Sequence, residues 1–303
     1  RRVIQMHTSK IAIRHDAGFS FRHMVPQGHC GEETQSILLL HGMFGTGGYL
    51  EPMMRICAGL GYACYALDLP GHGISKTPKT HKMGIPQYVR YVEAFMEVVV
   101  VKESGTKPHV FGHSMGALIA LMLASRPGCM HKTVAITPAT FQEAKRGEFL
   151  WLHMTREILR AVPSKLFGLF NPFQYFRQGS AMLQGMNFFT YVYREGVWES
   201  LRASYQVVQE KMHLEHRFKT PILVIGAGRD IVLPVHAMHR IVNWIGEHAT
   251  LHIEPDFGHM APFENAERMV EIITAWLAKD HQSKPKSVVA KKRRSCITNA
   301  LPA

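Results

Sequence analysis

Short continuous runs of apolar residues recur along the chain and alternate with segments of helical periodicity. The apolar runs have the length of strands and lie at residues 37–40, 63–67, 109–111, 133–136 and 221–225. Helical periodicity is seen at residues 49–60, 86–101, 117–124, 236–245 and 266–277. Continuous apolar runs are typical of strands buried on both faces, and strands that alternate with helices form parallel sheets. The pattern therefore predicts an α/β fold, with a mostly parallel central sheet, helices on both faces and an opening hairpin at residues 10–25.

The pattern changes between residues 139 and 216. Strand-like alternation mostly disappears there, and large aromatic side chains become frequent. We interpret this stretch as a helical cap inserted into the α/β unit, with most of its aromatic residues packing the cap and a minority lining a pocket. The predicted organisation is an α/β core at residues 1–138 and 217–279, a cap (lid) at 139–216 and a basic tail at 280–303.

The net charge of +12 is concentrated at the end of the chain. Six basic residues and no acidic ones follow Asp280, so half of the excess lies on a segment without aromatic residues or apolar periodicity. Such a segment is typical of a disordered, solvated tail. Its run of Lys291, Lys292, Arg293 and Arg294 is also compatible with a nuclear address or a weak contact with an anionic surface. Because half of the excess charge lies on this tail, the net charge is not read as a nucleic-acid signal and we expect no nucleic-acid partner.

The cysteines and the apolar runs limit the class of protein. The five cysteines are far apart and form no Cys-x-x-Cys pair, which argues against a disulfide framework or a zinc site. A reducing compartment, and hence a cytoplasmic location, is expected. No apolar run is long enough to span a bilayer, and no signal peptide is recognisable after Arg1.

A candidate nucleophile lies in the sequence Gly112-His113-Ser114-Met115-Gly116. This matches the pattern G-x-S-x-G, in which a serine occupies a sharp turn between a strand and a helix. The flanking positions must be small because the turn brings backbone segments close together. The apolar strand before the motif and the helical segment after it are the context that the pattern requires.

A candidate base and its partner follow later strands. A serine hydroxyl needs a base that removes its proton, and His259 lies in the turn after a last predicted strand at residues 250–254. Asp230 lies in the loop after the preceding strand. Loops that follow parallel strands gather at the carboxyl edge of the sheet, so Ser114, Asp230 and His259 are expected together in the order used by this fold. Asp256 is a rival acid that lies too close to His259 in sequence for the usual geometry.

Two backbone N–H groups are expected to form an oxyanion hole, which stabilises the charge that develops on a carbonyl oxygen. Met115 supplies one, and Met43 in the loop that begins at His41 and Gly42 is the best candidate for the other. His41 and Gly42 are expected to support this loop. His113 and His72 are expected to have structural roles.

These motifs together resemble the capped α/β-hydrolases over roughly residues 11–277. The motifs are His41-Gly42, Asp68-Leu69-Pro70-Gly71-His72-Gly73, Gly112 to Gly116, Gly228-Arg229-Asp230 and Gly258-His259. The resemblance implies a mechanism through an acyl-enzyme, without metal or cofactor, and a cap that shapes the pocket. Among relatives, the chain is similar to esterases and to monoacylglycerol-lipase-like or lysophospholipase-like enzymes.

The expected activity is hydrolysis of a carboxylic ester with an apolar acyl or alcohol part. Cleavage of a C–C bond, lactone or thioester, or perhydrolysis, would use the same three residues and stays open. A ligand receptor with slow turnover is an alternative of another class, as is a nucleic-acid protein that binds through its tail. The natural substrate and the oligomeric state are left open by the sequence.

Overall fold

A computed structural model describes seven ranges of the chain: residues 11–26, 34–43, 45–75, 84–126, 128–139, 218–230 and 232–279. Except for Ala139, the predicted cap lies outside these ranges, as does the predicted basic tail. The described residues include the elements that carry every predicted site residue.

Within the described ranges, eight strands form one sheet, in the order β1-β2-β4-β3-β5-β6-β7-β8. Their bounds are β1 Ala12–Asp16, β2 Phe19–Met24, β3 Ser36–Leu40, β4 Ala63–Leu67, β5 His109–His113, β6 Thr133–Ile136, β7 Ile222–Ala227 and β8 Ala249–Glu254. β2 pairs antiparallel with both β1 and β4, and every other pair of neighbouring strands is parallel. The predicted mostly parallel sheet and its opening hairpin are confirmed.

Helices cover both faces of the sheet. Their bounds are α1 Glu51–Gly59, α2 Ile85–Phe95, α3 Met115–Ala124, α4 Val235–Ile245, α5 Ala261–Glu264 and α6 Ala266–Leu277, with a 3-10 turn at Gly47–Leu50 before α1. The α/β-hydrolase fold class expected from the sequence is therefore confirmed.

The two faces of the sheet bury two separate hydrophobic clusters. Along β3, Leu38 and Leu40 point into the cluster that contains residues of α2, α3 and α4. Ile37 and Leu39 point into the cluster that contains residues of α1 and α6. Successive side chains of a strand point to opposite faces, so a strand covered on both sides must be apolar throughout. This explains the continuous apolar runs.

The helix predicted at residues 86–101 has a more complex form. After α2, the chain continues as a π-helix at Met96–Val101 and one more helical turn at Lys102–Ser104, and it ends at Gly105 with a φ of +71°. The π-helical part contains four consecutive valines. β-Branched side chains crowd the preceding turn of an α-helix, so this run favours the α-helical form less than the residues of α2 do.

A buried ion pair fixes the loop that follows β4. Asp68 is fully buried, and its carboxylate accepts hydrogen bonds from Arg22 Nη1 (3.1 Å), from the backbone N–H of Gly47 (2.6 Å) and from that of Ile74 (3.0 Å). A buried carboxylate is stable only when its oxygens are paired in this way. These hydrogen bonds hold the loop at the carboxyl edge of the sheet, where the candidate site lies.

None of the helices within the described ranges is long and apolar enough to cross a membrane. In the same part of the chain, no three His, Cys, Asp or Glu side chains are grouped in a way that could hold a metal ion.

Candidate active site

Ser114 lies at the sharp turn between β5 and α3. Its backbone has φ +54° and ψ −113°, a conformation that is unfavourable for a residue with a side chain. Such a conformation costs on the order of 1–3 kcal/mol and persists only where surrounding contacts enforce it. Here the Ser114 N–H donates to the carbonyl of Ile136 (3.0 Å), and the Ser114 carbonyl accepts from Ala117 and Ala139 (both 3.1 Å).

Two glycines make the turn possible. A Cβ atom at Gly112 would lie 2.3 Å from the carbonyl oxygen of Gly116, and one at Gly116 would lie 2.4 Å from the carbonyl oxygen of Leu40. Both obstacles are backbone atoms, which cannot move aside as a flexible side chain can. The G-x-S-x-G pattern is thus a steric requirement of this turn.

His259 and Asp230 are brought together by the structure. His259 Nδ1 donates to Asp230 Oδ2 at 2.8 Å, and both side chains are almost completely buried. The other carboxylate oxygen of Asp230 accepts from the backbone N–H groups of Val232 (2.8 Å) and Leu233 (2.9 Å). A carboxylate can only accept, so the proton of a neutral His259 resides on Nδ1. Nε2 is then the nitrogen that can take a proton.

Backbone hydrogen bonds hold the loops of Asp230 and His259 against each other. The N–H of Gly228 donates to the carbonyl of Glu254, and that of Arg229 donates to the carbonyl of Phe257, both at 2.9 Å. A Cβ atom at Gly228 would lie 2.5 Å from the carbonyl oxygen of Pro255, so the loops can approach this closely only because position 228 is glycine. The rival acid Asp256 is 76% exposed and pairs with Arg229 instead.

The loop after β3 lies beside Ser114. A Cβ atom at Gly42 would be 3.0 Å from the Cβ of Ser114. The Gly42 carbonyl accepts from His41 Nδ1 (2.8 Å) and from the N–H of Gly45 (3.1 Å). In a planar trans peptide the N–H of the next residue points opposite to this carbonyl. These two bonds therefore set the direction of the Met43 N–H.

His41 is held between two loops as a neutral ring. The N–H of Leu69 donates to His41 Nε2 at 3.0 Å, so this nitrogen carries no proton and Nδ1 is the donor to Gly42. Burial lowers the pKa of His41 below its ordinary value, which favours the neutral form. His72 lies next to His41, with ring centroids 4.9 Å apart, and its Nδ1 contacts the carbonyl of Pro70 (3.1 Å).

His113 and Tyr49 also belong to the surroundings of the site. His113 Nε2 lies 2.8 Å from the carbonyl oxygen of His259, and His113 Nδ1 lies 2.7 Å from the hydroxyl of Tyr49. The N–H of Gly42 donates to the same hydroxyl at 2.7 Å. The sequence predicts for Tyr49 only that it lies in a helical stretch. No local pattern marks it, because its partners lie 7 and 64 positions away.

A family model described as serine aminopeptidase, S33, matches residues 31–266, which is most of the chain. The chain belongs to this family. The S33 family is part of the α/β-hydrolase superfamily, which agrees with the resemblance of the motifs.

Relatives of this S33 member include an acetyltransferase component and lipase-like enzymes. The chain is 30% identical, over 253 residues, to a dihydrolipoyllysine-residue acetyltransferase component of an acetoin cleaving system from Cupriavidus necator, covering 78% of this chain and 62% of that protein. A protein of the same description from Pseudomonas putida is 28% identical, with 56% of its length covered. The chain thus spans little more than half the length of these relatives. Human monoglyceride lipase is 31% identical over 103 residues, 34% of each chain.

Solved structures share the fold of the S33 member. The crystal structure of a membrane phospholipase A, described as a bacterial virulence factor, superposes with a TM-score of 0.66 at 20% identity and covers 89% of this chain and 86% of its own. A lipase-esterase related protein from Clostridium acetobutylicum gives a TM-score of 0.60 at 18% identity, with 86% and 99% covered. At these identities the likeness concerns the fold alone.

Proposed function

We propose that this protein hydrolyses carboxylic esters that have an apolar acyl or alcohol part, with Ser114 as nucleophile, His259 as base and Asp230 as the group that orients the base. One observation carries the proposal: the buried hydrogen bond between His259 and Asp230 lies at the same edge of the sheet as a serine in a strained turn. A serine is activated when a base is fixed in one tautomer beside it.

The reaction proceeds in two steps. Ser114 Oγ attacks the ester carbonyl while His259 Nε2 takes the hydroxyl proton, and His259 then gives this proton to the departing alkoxide. Asp230 accepts from Nδ1 throughout and stabilises the imidazolium that forms. Water next attacks the acyl-enzyme, with His259 as base again, and releases the carboxylic acid.

The oxyanion of each tetrahedral intermediate is assigned to the N–H groups of Met115 and Met43. Met115 is the first residue of α3, and N–H groups at the start of a helix lack acceptors within that helix. The helix also directs partial positive charge at this end. Met43 follows Gly42, whose fixed carbonyl orients the Met43 N–H, and His41 and Gly42 are the supports of this loop.

Two features bear on the substrate. The relatives include human monoglyceride lipase and a probable lysophospholipase from Arabidopsis thaliana, which is 28% identical over 37% of this chain. The aromatic segment at residues 139–216 is proposed to form a cap over the site, as its composition predicts. Both favour an ester with an apolar part over a small polar substrate.

The test combines active-site labelling with a substrate panel. A fluorophosphonate probe should label Ser114, located by mass spectrometry, and p-nitrophenyl esters of short and long acyl chains should be turned over continuously. The panel includes a thioester, a lactone and an aminoacyl p-nitroanilide, since the family description names an aminopeptidase. Ester turnover well above the other three is expected.

Ser114→Ala should lower kcat on the order of a millionfold, the cost of losing the nucleophile of such a triad. Ser125→Ala is the matched control, because Ser125 lies at the other end of α3 and its hydroxyl donates to the carbonyl of Met122. Full esterase activity in the Ser114→Ala variant would refute the assignment. Folded wild-type protein with neither label nor turnover would favour the ligand receptor.

A further inference from the structure

A chain of three hydrogen bonds connects the loops on which the proposed reaction depends. It runs from the N–H of Gly42 to the hydroxyl of Tyr49 (2.7 Å), from this hydroxyl to His113 Nδ1 (2.7 Å), and from His113 Nε2 to the carbonyl of His259 (2.8 Å). Gly42 begins the peptide that carries the Met43 N–H, and His113 precedes Ser114 in the chain. The three bonds therefore join the oxyanion loop, the strand that leads to the nucleophile and the backbone of the base.

Each bond has only one possible direction. The carbonyl of His259 can only accept, so His113 Nε2 carries a proton. Burial, and then the proximity of His259, lower the pKa of His113 well below its ordinary value, so the ring is neutral and Nδ1 is an acceptor. Tyr49 must therefore donate to Nδ1, while its oxygen accepts from the N–H of Gly42. Burial raises the pKa of Tyr49, which keeps its proton in place.

We propose that Tyr49 and His113 are positioning residues of the hydrolytic reaction, which fix the Met43 N–H and the His259 ring relative to Ser114. This inference rests on the function proposed above. Neither side chain is assigned a contact with the substrate. Their role is to fix the distance between the Met43 N–H and the His259 ring. A fully satisfied set of hydrogen bonds leaves the oxyanion loop, the end of β5 and the backbone of His259 little freedom to move relative to one another.

Removing the hydroxyl of Tyr49 should affect the transition state more than the bound ester. Tyr49→Phe keeps the ring but leaves the N–H of Gly42 and Nδ1 of His113 without their partner. Loss of one oxyanion donor costs about 10²–10³-fold in kcat, and misplacement by about 1 Å costs about 10²-fold. A displaced donor should cost less than a missing one, so we expect kcat to fall by about 10- to 100-fold. KM should stay within about threefold, because the oxyanion forms only after binding.

Two conservative variants of His113 separate the two ends of the chain of bonds. An asparagine amide reaches the position of Nδ1 and preserves an acceptor for Tyr49, whereas a glutamine amide reaches the position of Nε2 and preserves a donor to the His259 carbonyl. His113→Asn and His113→Gln should therefore each lower kcat, by less than His113→Ala. This graded rescue is not expected if the ring only fills space.

Tyr65→Phe is the matched control. Tyr65 is buried and its hydroxyl also makes a hydrogen bond, to Glu103 (3.1 Å), but it lies on β4 and contacts none of the three loops through this bond. Its loss should lower the midpoint of thermal unfolding without changing kcat.

The decisive measurement is kcat per active site, with the sites counted by fluorophosphonate titration, beside the inhibition constant of an aliphatic trifluoromethyl ketone. The ketone forms a tetrahedral adduct whose oxygen occupies the oxyanion position. For Tyr49→Phe we expect kcat per site and affinity for the ketone to fall by the same factor. Unchanged kcat per titrated site, with only fewer sites or a lower unfolding midpoint, would overturn the inference while leaving the proposed function intact. Wild-type protein without label or turnover would instead overturn the proposed function, and this inference with it.

Discussion

Replacing Asp230 with asparagine tests how the base is oriented, because the structure determines which way the new amide faces. One carboxylate oxygen of Asp230 accepts from the N–H groups of Val232 and Leu233. An amide oxygen can take over this role, and an amide nitrogen cannot. In the Asp230→Asn variant the amide nitrogen would therefore face His259 Nδ1, where the second carboxylate oxygen now lies at 2.8 Å.

This arrangement reverses the tautomer of the base. The amide N–H donates to Nδ1, so the proton of the neutral ring moves to Nε2, the nitrogen that should accept from Ser114. In a Ser-His-Asp triad a base in the wrong tautomer costs about 10⁴-fold in kcat. At about 1.36 kcal/mol per factor of ten, this corresponds to about 5.4 kcal/mol of transition-state stabilisation. The fold should be retained, since both backbone N–H groups keep an acceptor.

Steady-state kinetics on a p-nitrophenyl ester, corrected by titration of active sites, measures the effect. Asp256→Asn is the matched control, because Asp256 is an exposed carboxylate only three residues before His259 and pairs with Arg229. We expect its kcat to equal that of the wild type. If the Asp230→Asn variant retained more than a tenth of wild-type activity, or if Asp256→Asn lost as much, the orientation inferred from the hydrogen bonds would be wrong.

Two further predictions concern stability and are measured by urea unfolding. Gly112→Ala should destabilise the protein by about 3 kcal/mol because the new methyl group meets the backbone of Gly116. Gly59→Ala places its Cβ where no atom lies within 4 Å, so it should stabilise the protein by about 0.5 kcal/mol. Equal effects of the two substitutions would contradict the steric argument. Burial lowers the pKa of His109 to about 4, with smaller contributions from His131 and Lys132. Below pH 6.5 the unfolded chain therefore binds a proton at this residue that the folded protein does not bind. The free energy of unfolding should fall by up to about 1.4 kcal/mol per pH unit from this residue between pH 6.5 and about 4. His109→Gln should remove this share of the decline, and an unchanged slope would refute the attribution.

The central strands could be predicted from the sequence because they are buried on both faces. The run at residues 37–40 is apolar on both faces because β3 lies in the middle of the sheet. These four residues are enough to show that both faces are buried. The loops of Asp230 and His259 could be placed together because parallel strands end at one edge. These inferences need only periodicity and the order of elements.

The relations that could not be predicted depend on the orientation of particular side chains. The π-helical turn at Met96–Val101 continues the apolar periodicity of α2, so the sequence predicted one helix there. Tyr49 and His113 form a hydrogen bond across 64 positions, and the sequence predicts neither the direction of the ring nor the proton that it donates. The sequence predicts a structural role for His113 but does not predict its position between the Tyr49 hydroxyl and the His259 carbonyl.

The meeting of Asp230 with His259 follows from the register of the last two strands. β7 and β8 pair so that Ala227 lies opposite Glu254, and the N–H of Gly228 then donates to the carbonyl of Glu254. From this common end, three residues lead from Ala227 to Asp230 and five lead from Glu254 to His259. A shift of the register by one residue would move one loop by about 3.3 Å along the other, more than a hydrogen bond can tolerate. The strand pairing thus sets the 2.8 Å contact of the proposed base, and the loops have only to preserve it.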